Sequence, residues 1–129
     1  IELIEREVQR GIDYRHIVLA GFSQGCAMVL QTGLRFPHKL AGIIALSGYL
    51  PLAVTLPIEK HSANQSTPIF MAHGEYDPVV ALDRAQASHA LLEKMGYSVD
   101  WNEYPMEHSV NREELADISR FLQQVLGSK

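Results

Sequence analysis

Three residues could together cleave an acyl bond: Ser23, Asp77 and His108. Ser23 lies in Gly21-Phe22-Ser23-Gln24-Gly25, which fits G-x-S-x-G. A serine hydroxyl cannot attack an ester at neutral pH unless a base takes its proton. When such a serine sits on a strand-to-helix turn, one common chain order places the acid next and the histidine last. Asp77 in His73-Gly74-Glu75-Tyr76-Asp77-Pro78-Val79-Val80 and His108 in Tyr104-Pro105-Met106-Glu107-His108-Ser109 have that order. His108 would take the proton of Ser23 and return it to the leaving group. Asp77 would accept a hydrogen bond from the other ring nitrogen and stabilise the imidazolium.

The two glycines have an expected steric role. Side chains at 21 and 25 would collide with neighbouring backbone in a sharp, strained turn. The same turn sets the Gln24 backbone N–H and the helix N-terminus beside the reacting carbonyl, where an oxyanion forms. The bland alternatives are an ordinary Gly-rich turn, an aspartate placed before proline for turn chemistry, and a loop histidine.

Other reactive side chains fit less well. His73 precedes the acid and reverses the order, so it reads as a packing or hydrogen-bonding histidine. His16, His38, His61 and His89 read as solvated or structural. No two histidines have the H-x-x-x-H spacing of a zinc pair, so no metal site is expected. Glu75 and Glu107 read as solvated loop charges. Cys26 follows Ser23 by one helical turn, and a buried packing thiol is the commoner fate of such a residue.

These side chains need a scaffold with one common rim. Residues 16–22 and 40–46 are nearly continuous apolar runs, as in strands buried on both faces, and 68–72 is a third. Residues 99–104 alternate and predict a less buried fourth strand. Helices are expected over 1–11 (Ile1, Ile4, Val8 and Ile12 on one side), 24–36, 80–95 and 111–126. Inner-face candidates are Ala81, Ala85, Leu91, Leu92 and Met95 in the third of these. In the last they are Leu115, Ile118, Phe121, Leu122 and Val125. Asn111 is the expected N-cap there, with Glu113 and Glu114 in the first turn. Residues 47–67 read as a long excursion. Strands alternating with helices predict an α/β class, with a mostly parallel sheet of about four strands in one domain spanning 1–129.

Composition narrows the partners. The 129 residues are 47% hydrophobic and 20% charged, which suits a globular chain, and a net charge of -4 gives no basic footprint for nucleic acid. No apolar run reaches the roughly eighteen residues of a transmembrane helix. The acidic start lacks the pattern of a signal peptide. A single cysteine excludes an intrachain disulfide and favours a reducing compartment.

Residues 17–28, with Leu46-Ser47-Gly48-Tyr49-Leu50-Pro51, the 73–80 segment and Tyr104-Pro105-Met106-Glu107-His108, resemble one family in consistent order. That family is the phospholipase/carboxylesterase group of α/β-hydrolases, which holds bacterial carboxylesterases and acyl-protein thioesterases. The resemblance implies cofactor-free hydrolysis of small ester or thioester substrates through an acyl-enzyme, a cytoplasmic location and, in many members, a homodimer. It matches Ser23 to the nucleophile, Asp77 to the acid, His108 to the base and the Gln24 N–H to one oxyanion donor. It also implies that the segment from Gly48 to Pro51 and the loop after it border the acyl site.

Two departures stand out. Cys26 occupies a position where these enzymes usually have glycine. The match also covers roughly the C-terminal three-fifths of such an enzyme, without the N-terminal strands and the loop that supplies a second oxyanion N–H. Residues 16–22 would then form an unpaired edge, so the chain is expected to be part of a longer protein or to be covered there by another chain. The rival functional reading is an inactive fragment or pseudoenzyme that binds acyl ligands or a partner chain. Within hydrolases, a peptidase or lactonase specificity stays open.

Overall fold

The structure is a computed structural model that describes residues 2–51 and 55–127, the side chains of 2–4, 8 and 57 excepted. Its centre is a four-stranded parallel sheet in the order β1-β2-β3-β4, formed by Val18–Phe22, Gly42–Leu46, Ile69–Gly74 and Val99–Tyr104. The helices are α1 (Glu2–Gln9), α2 (Gln24–Arg35), the short α3 (Leu56–Glu59), α4 (Leu82–Lys94) and α5 (Arg112–Leu126).

Period-two alternation along β2 and β3 sends their side chains into two cores. Ile43, Ala45, Ile69 and Met71 meet Leu30, Leu34 and Leu92 of α2 and α4. Ile44, Leu46, Phe70 and Ala72 meet Tyr104 and Phe121 on the α5 side. Every residue of β2 and β3 is buried, which is why both strands read as unbroken apolar runs. All four strand C-termini share one rim.

The first strand departs from expectation. It starts at Val18, because Tyr14–His16 forms a 3-10 turn whose Asp13 cap accepts the Arg15 N–H at 2.9 Å. It is not buried on both faces: Ala20 and Phe22 are exposed. Among the described residues its only pairing is with β2, so it is an edge there, as expected from a match that lacks the preceding strands. The expected apolar face of Ile1, Ile4 and Val8 lies outside the described side chains. Ile12 falls beyond α1 and is exposed.

The described part of the 47–67 excursion has more regular structure than its composition suggests. It holds α3 and a 3-10 turn at Ser62–Asn64. The buried Asn64 side chain accepts the Leu40 N–H at 2.8 Å and donates to the carbonyls of Phe36 and His38 at 3.1 and 2.9 Å. Those bonds satisfy the α2–β2 connection, whose buried backbone would otherwise be unpaired.

Two inner-face expectations fail. Ala81 is the exposed N-cap of α4, while Ala85 and Leu92 are buried and Leu91 and Met95 pack against the core. On α5, Leu115 is 57% exposed and its neighbour Glu114 is fully buried. Residues 114, 118, 121 and 125 follow i, i+4, i+7, i+11 spacing and share one helix face. Asn111 does cap α5, accepting the Glu114 N–H at 2.8 Å.

Among the described residues neither carboxyl oxygen of Glu114 has a hydrogen-bond partner at normal distance and angle. Burial pushes its pKa up to about 7, against the pull of the Asn111 backbone N–H and aided by Asp117. Tyr104 also faces this region and donates to Asp117 at 2.5 Å. A carboxyl whose folded pKa is raised holds more protons folded than unfolded. Stability therefore falls as pH rises from about 4.5 to about 7 and stays low above that. The total is at most ~3 kcal/mol. Glu114→Gln should remove this slope. Its melting temperature should equal that of the parent near pH 4.5 and exceed it by several degrees at pH 8; parallel curves would contradict this.

Candidate active site

Ser23 follows β1 and is the N-cap of α2, with φ 59° and ψ -112°, a left-handed-side conformation that L-residues rarely adopt. Its N–H donates to the Leu46 carbonyl at 2.8 Å, which ties the strained turn to β2. A Cβ at Gly21 would lie 2.1 Å from the Gly25 carbonyl oxygen, so only glycine fits there. The expectation for Gly25 is corrected: a Cβ at Gly25 would have nothing within 4 Å. The collision runs one way, from residue 21 onto the backbone of residue 25.

Asp77 and His108 stand on the loops after β3 and β4. Those loops are stitched together by Glu75 N–H to Tyr104 O at 2.8 Å and Tyr76 N–H to Met106 O at 3.0 Å. Gly74 allows the approach: a Cβ there would lie 2.2 Å from the Glu107 carbonyl oxygen. Sequence reasoning did not single out Gly74, although a glycine at a strand end is a signal for close backbone contact.

The three candidate side chains meet. His108 Nε2 lies 2.9 Å from Ser23 Oγ, and His108 Nδ1 lies 2.6 Å from Asp77 Oδ2. The other oxygen of Asp77 accepts the N–H groups of Val79 and Val80 at 2.8 and 2.9 Å. Burial pushes the Asp77 carboxyl up, but the bonds from His108, Val80 and Val79 outweigh it and hold its pKa below the usual range. An ionised Asp77 fixes the Nδ1–H tautomer and leaves Nε2 free to accept the serine proton. The Phe22 ring, 4.8 Å from the imidazole, packs beside it.

His73 supports this arrangement from beneath. It is fully buried in β3, its Nε2–H donates to the Val80 carbonyl at 2.7 Å, and the same nitrogen is 3.5 Å from Asp77 Oδ2. It braces the loop that carries the carboxylate, a hydrogen-bonding role as its position suggested. Cys26 is buried and its thiol is pushed up to about 12 by desolvation, against a hydrogen bond from Gly48, so it holds no thiolate for attack. Glu75 and Glu107 are exposed. Among the described residues no group of three or more His, Cys, Asp or Glu could hold a metal ion.

Gln24, first residue of α2, carries a backbone N–H with no intrahelical acceptor. From Ser23 and Gln24 a groove of about 480 Å3 extends along Ala27, Met28, Tyr49, Val79, Val80 and Arg84. Met28 and Val79 are 66% and 65% exposed. Met28 lies off the buried face of α2 formed by Cys26, Leu30, Gly33 and Leu34, and that mismatch was its only sequence signal. A larger cleft, about 650 Å3, opens at the opposite rim near Lys39, Ala41 and Pro68, and its wall holds no histidine or carboxylate.

The geometry invites comparison with known proteins. A family model described as phospholipase/carboxylesterase matches residues 1–126. The chain belongs to the phospholipase/carboxylesterase family. Within that family it is similar to acyl-protein thioesterase 1 of Neurospora crassa, 48% identical over 128 residues, covering 97% of this chain and 52% of that protein. Acyl-protein thioesterase 1 of Gibberella zeae is 45% identical over 130 residues, covering 98% and 55%. Among solved structures, Arabidopsis thaliana SOBER1 superposes with a TM-score of 0.92 at 28% identity, covering 97% of this chain and 60% of that one. Acyl-protein thioesterase 2 of Zea mays gives 0.76 at 30% identity, covering 84% and 55%. The chain thus has the α/β-hydrolase architecture and spans about half the length of the curated relatives it matches. Among the described residues no helix is long and apolar enough to cross a membrane.

Proposed function

We propose that this member of the phospholipase/carboxylesterase family carries the catalytic residues of a serine hydrolase for carboxylic esters or thioesters. The observation that carries the reading is the continuous hydrogen-bond path from Ser23 through His108 to Asp77. The acyl-protein thioesterase relatives support the substrate class.

In this reading His108 Nε2 removes the Ser23 proton as Oγ bonds to the acyl carbon. The carbonyl electrons move to oxygen, which the Gln24 N–H and the α2 N-terminus stabilise. The intermediate collapses, the acyl–oxygen or acyl–sulfur bond breaks, and His108 gives its proton to the departing alcohol or thiol. Water then repeats the cycle on the acyl-serine: His108 takes its proton, hydroxide adds, and Oγ leaves with that proton. Asp77 stays ionised and holds the imidazolium. The family resemblance and the lone buried thiol support a cytoplasmic setting, and family habit supports a homodimer.

Rapid mixing with p-nitrophenyl butyrate tests the acyl-enzyme. The expected result is a nitrophenolate burst of about one equivalent per Ser23 followed by slower turnover. No burst and no turnover from folded protein would favour the rival reading, an inactive acyl-binding chain.

A further inference from the structure

The groove beside Ser23 contains a cation that the hydrolytic scheme does not use. Arg84, in the first turn of α4, lays its guanidinium over the Tyr49 ring, with the central carbon 3.6 Å from the ring centroid. Both residues share the groove wall with Ser23. Among the described residues no carboxylate pairs with Arg84, although Asp83 is its neighbour in sequence. Nor does its guanidinium donate a hydrogen bond within them. The Tyr49 ring holds the guanidinium in place while its N–H groups carry no hydrogen bond among the described residues, so little ordering remains to be done when an anion arrives.

The position also says which half of a substrate meets this charge. His108 must reach the leaving group to protonate it, and His108 is not on the wall of the groove; its ring lies against Phe22. The groove therefore receives the acyl half. Its near walls, Ala27, Met28, Val79 and Val80, suit methylene groups, and Arg84 suits an anionic end. A guanidinium edge binds a carboxylate through paired, charge-assisted hydrogen bonds.

We propose that Arg84 makes the groove a subsite for acyl chains that carry a carboxylate, so that half-esters or half-thioesters of dicarboxylic acids are favoured substrates. This deepens the hydrolase reading and rests on it for turnover, though not for binding.

The test compares p-nitrophenyl hydrogen suberate with p-nitrophenyl octanoate, which have acyl chains of equal carbon number, with adipate and sebacate half-esters to span the reach. The readout is the ratio of kcat/KM for the charged to the neutral ester. Arg84→Met should lower that ratio about ten- to a hundred-fold, and Arg84→Lys should restore part of it, since charge returns without the planar fork. An unchanged ratio in Arg84→Met overturns the proposal and leaves Arg84 as packing for Tyr49. Calorimetric titration of suberate into Ser23→Ala needs no turnover. Affinity there should fall by a similar factor when Arg84→Met is added, and equal or absent binding in both overturns the subsite. If suberate binding depends on Arg84 while the parent protein hydrolyses neither ester, the subsite stands and the hydrolase reading falls.

Discussion

Ser23→Ala should lower kcat/KM for an activated aryl ester by about ten-thousand-fold or more, and adding His108→Ala should cost almost nothing further. In the proposed reading the two side chains act on one proton. With Oγ gone, the imidazole has nothing to deprotonate; with the imidazole gone, the hydroxyl stays protonated at neutral pH. The 2.9 Å contact between them is the physical basis for that shared loss. Independent contributions would instead multiply in the double variant. Residual activity from the Gln24 N–H and the groove should remain at the same level in all three variants. Steady-state kinetics on the two single variants and the double variant check this, with circular dichroism to show that each is folded. A double variant slower than the parent by the product of the two single losses would contradict the shared-proton account.

Gly21→Ala should be among the most damaging alanine substitutions at a glycine in this chain, and Gly25→Ala among the least. At residue 21 the new Cβ would sit 2.1 Å from Gly25 O, 2.3 Å from Gly25 C and 2.8 Å from Cys26 N. All three are backbone atoms inside the turn, so no rotamer change can clear them. Relief requires moving α2 away from β1, which would break the tie from Ser23 N–H to Leu46 and pull Oγ from His108. The expected cost is about 3 kcal/mol or more, at the upper end for single substitutions. That is a large share of a small domain's stability. At residue 25 the same methyl meets nothing within 4 Å. Alanine's better helix propensity should then offset most other effects, leaving stability within about 1 kcal/mol. Thermal melts of both variants read the contrast directly. A Gly21→Ala protein that melts like the parent would show that the turn is looser than the structure describes.

The architecture was largely legible in the residues, for reasons that can be named. The interior strands β2 and β3 are apolar on both faces because helices cover both, and that leaves a continuous run rather than an alternating one. Ser23, Asp77 and His108 are legible as candidates because each lies on the turn or loop after a strand, and parallel strands deliver their C-termini to one rim. What could not be read depends on contacts between distant segments. A buried glutamate has the letter of a surface residue, so the apolar pattern of α5 points to Leu115 and not Glu114 as an inner residue; only desolvation, which raises the Glu114 pKa, makes it compatible with a core. The collision at the serine turn looked symmetric from G-x-S-x-G, but its one-sidedness is a matter of Cβ direction. Asn64 lay in a stretch of loop composition, and its staple to Leu40, Phe36 and His38 appears only once the chain folds back. Arg84 could not be associated with Ser23 because they are brought together by Tyr49, which belongs to neither segment.

The most direct measurement is the mass of the intact protein after brief exposure to a fluorophosphonate at neutral pH, with the adduct mapped by peptide fragmentation. An imidazole-activated Ser23 predicts one adduct, on residue 23, formed quickly in the parent protein and lost in folded Ser23→Ala and His108→Ala variants. An unlabelled parent, an adduct on another residue, or undiminished labelling of Ser23 without His108 would contradict it.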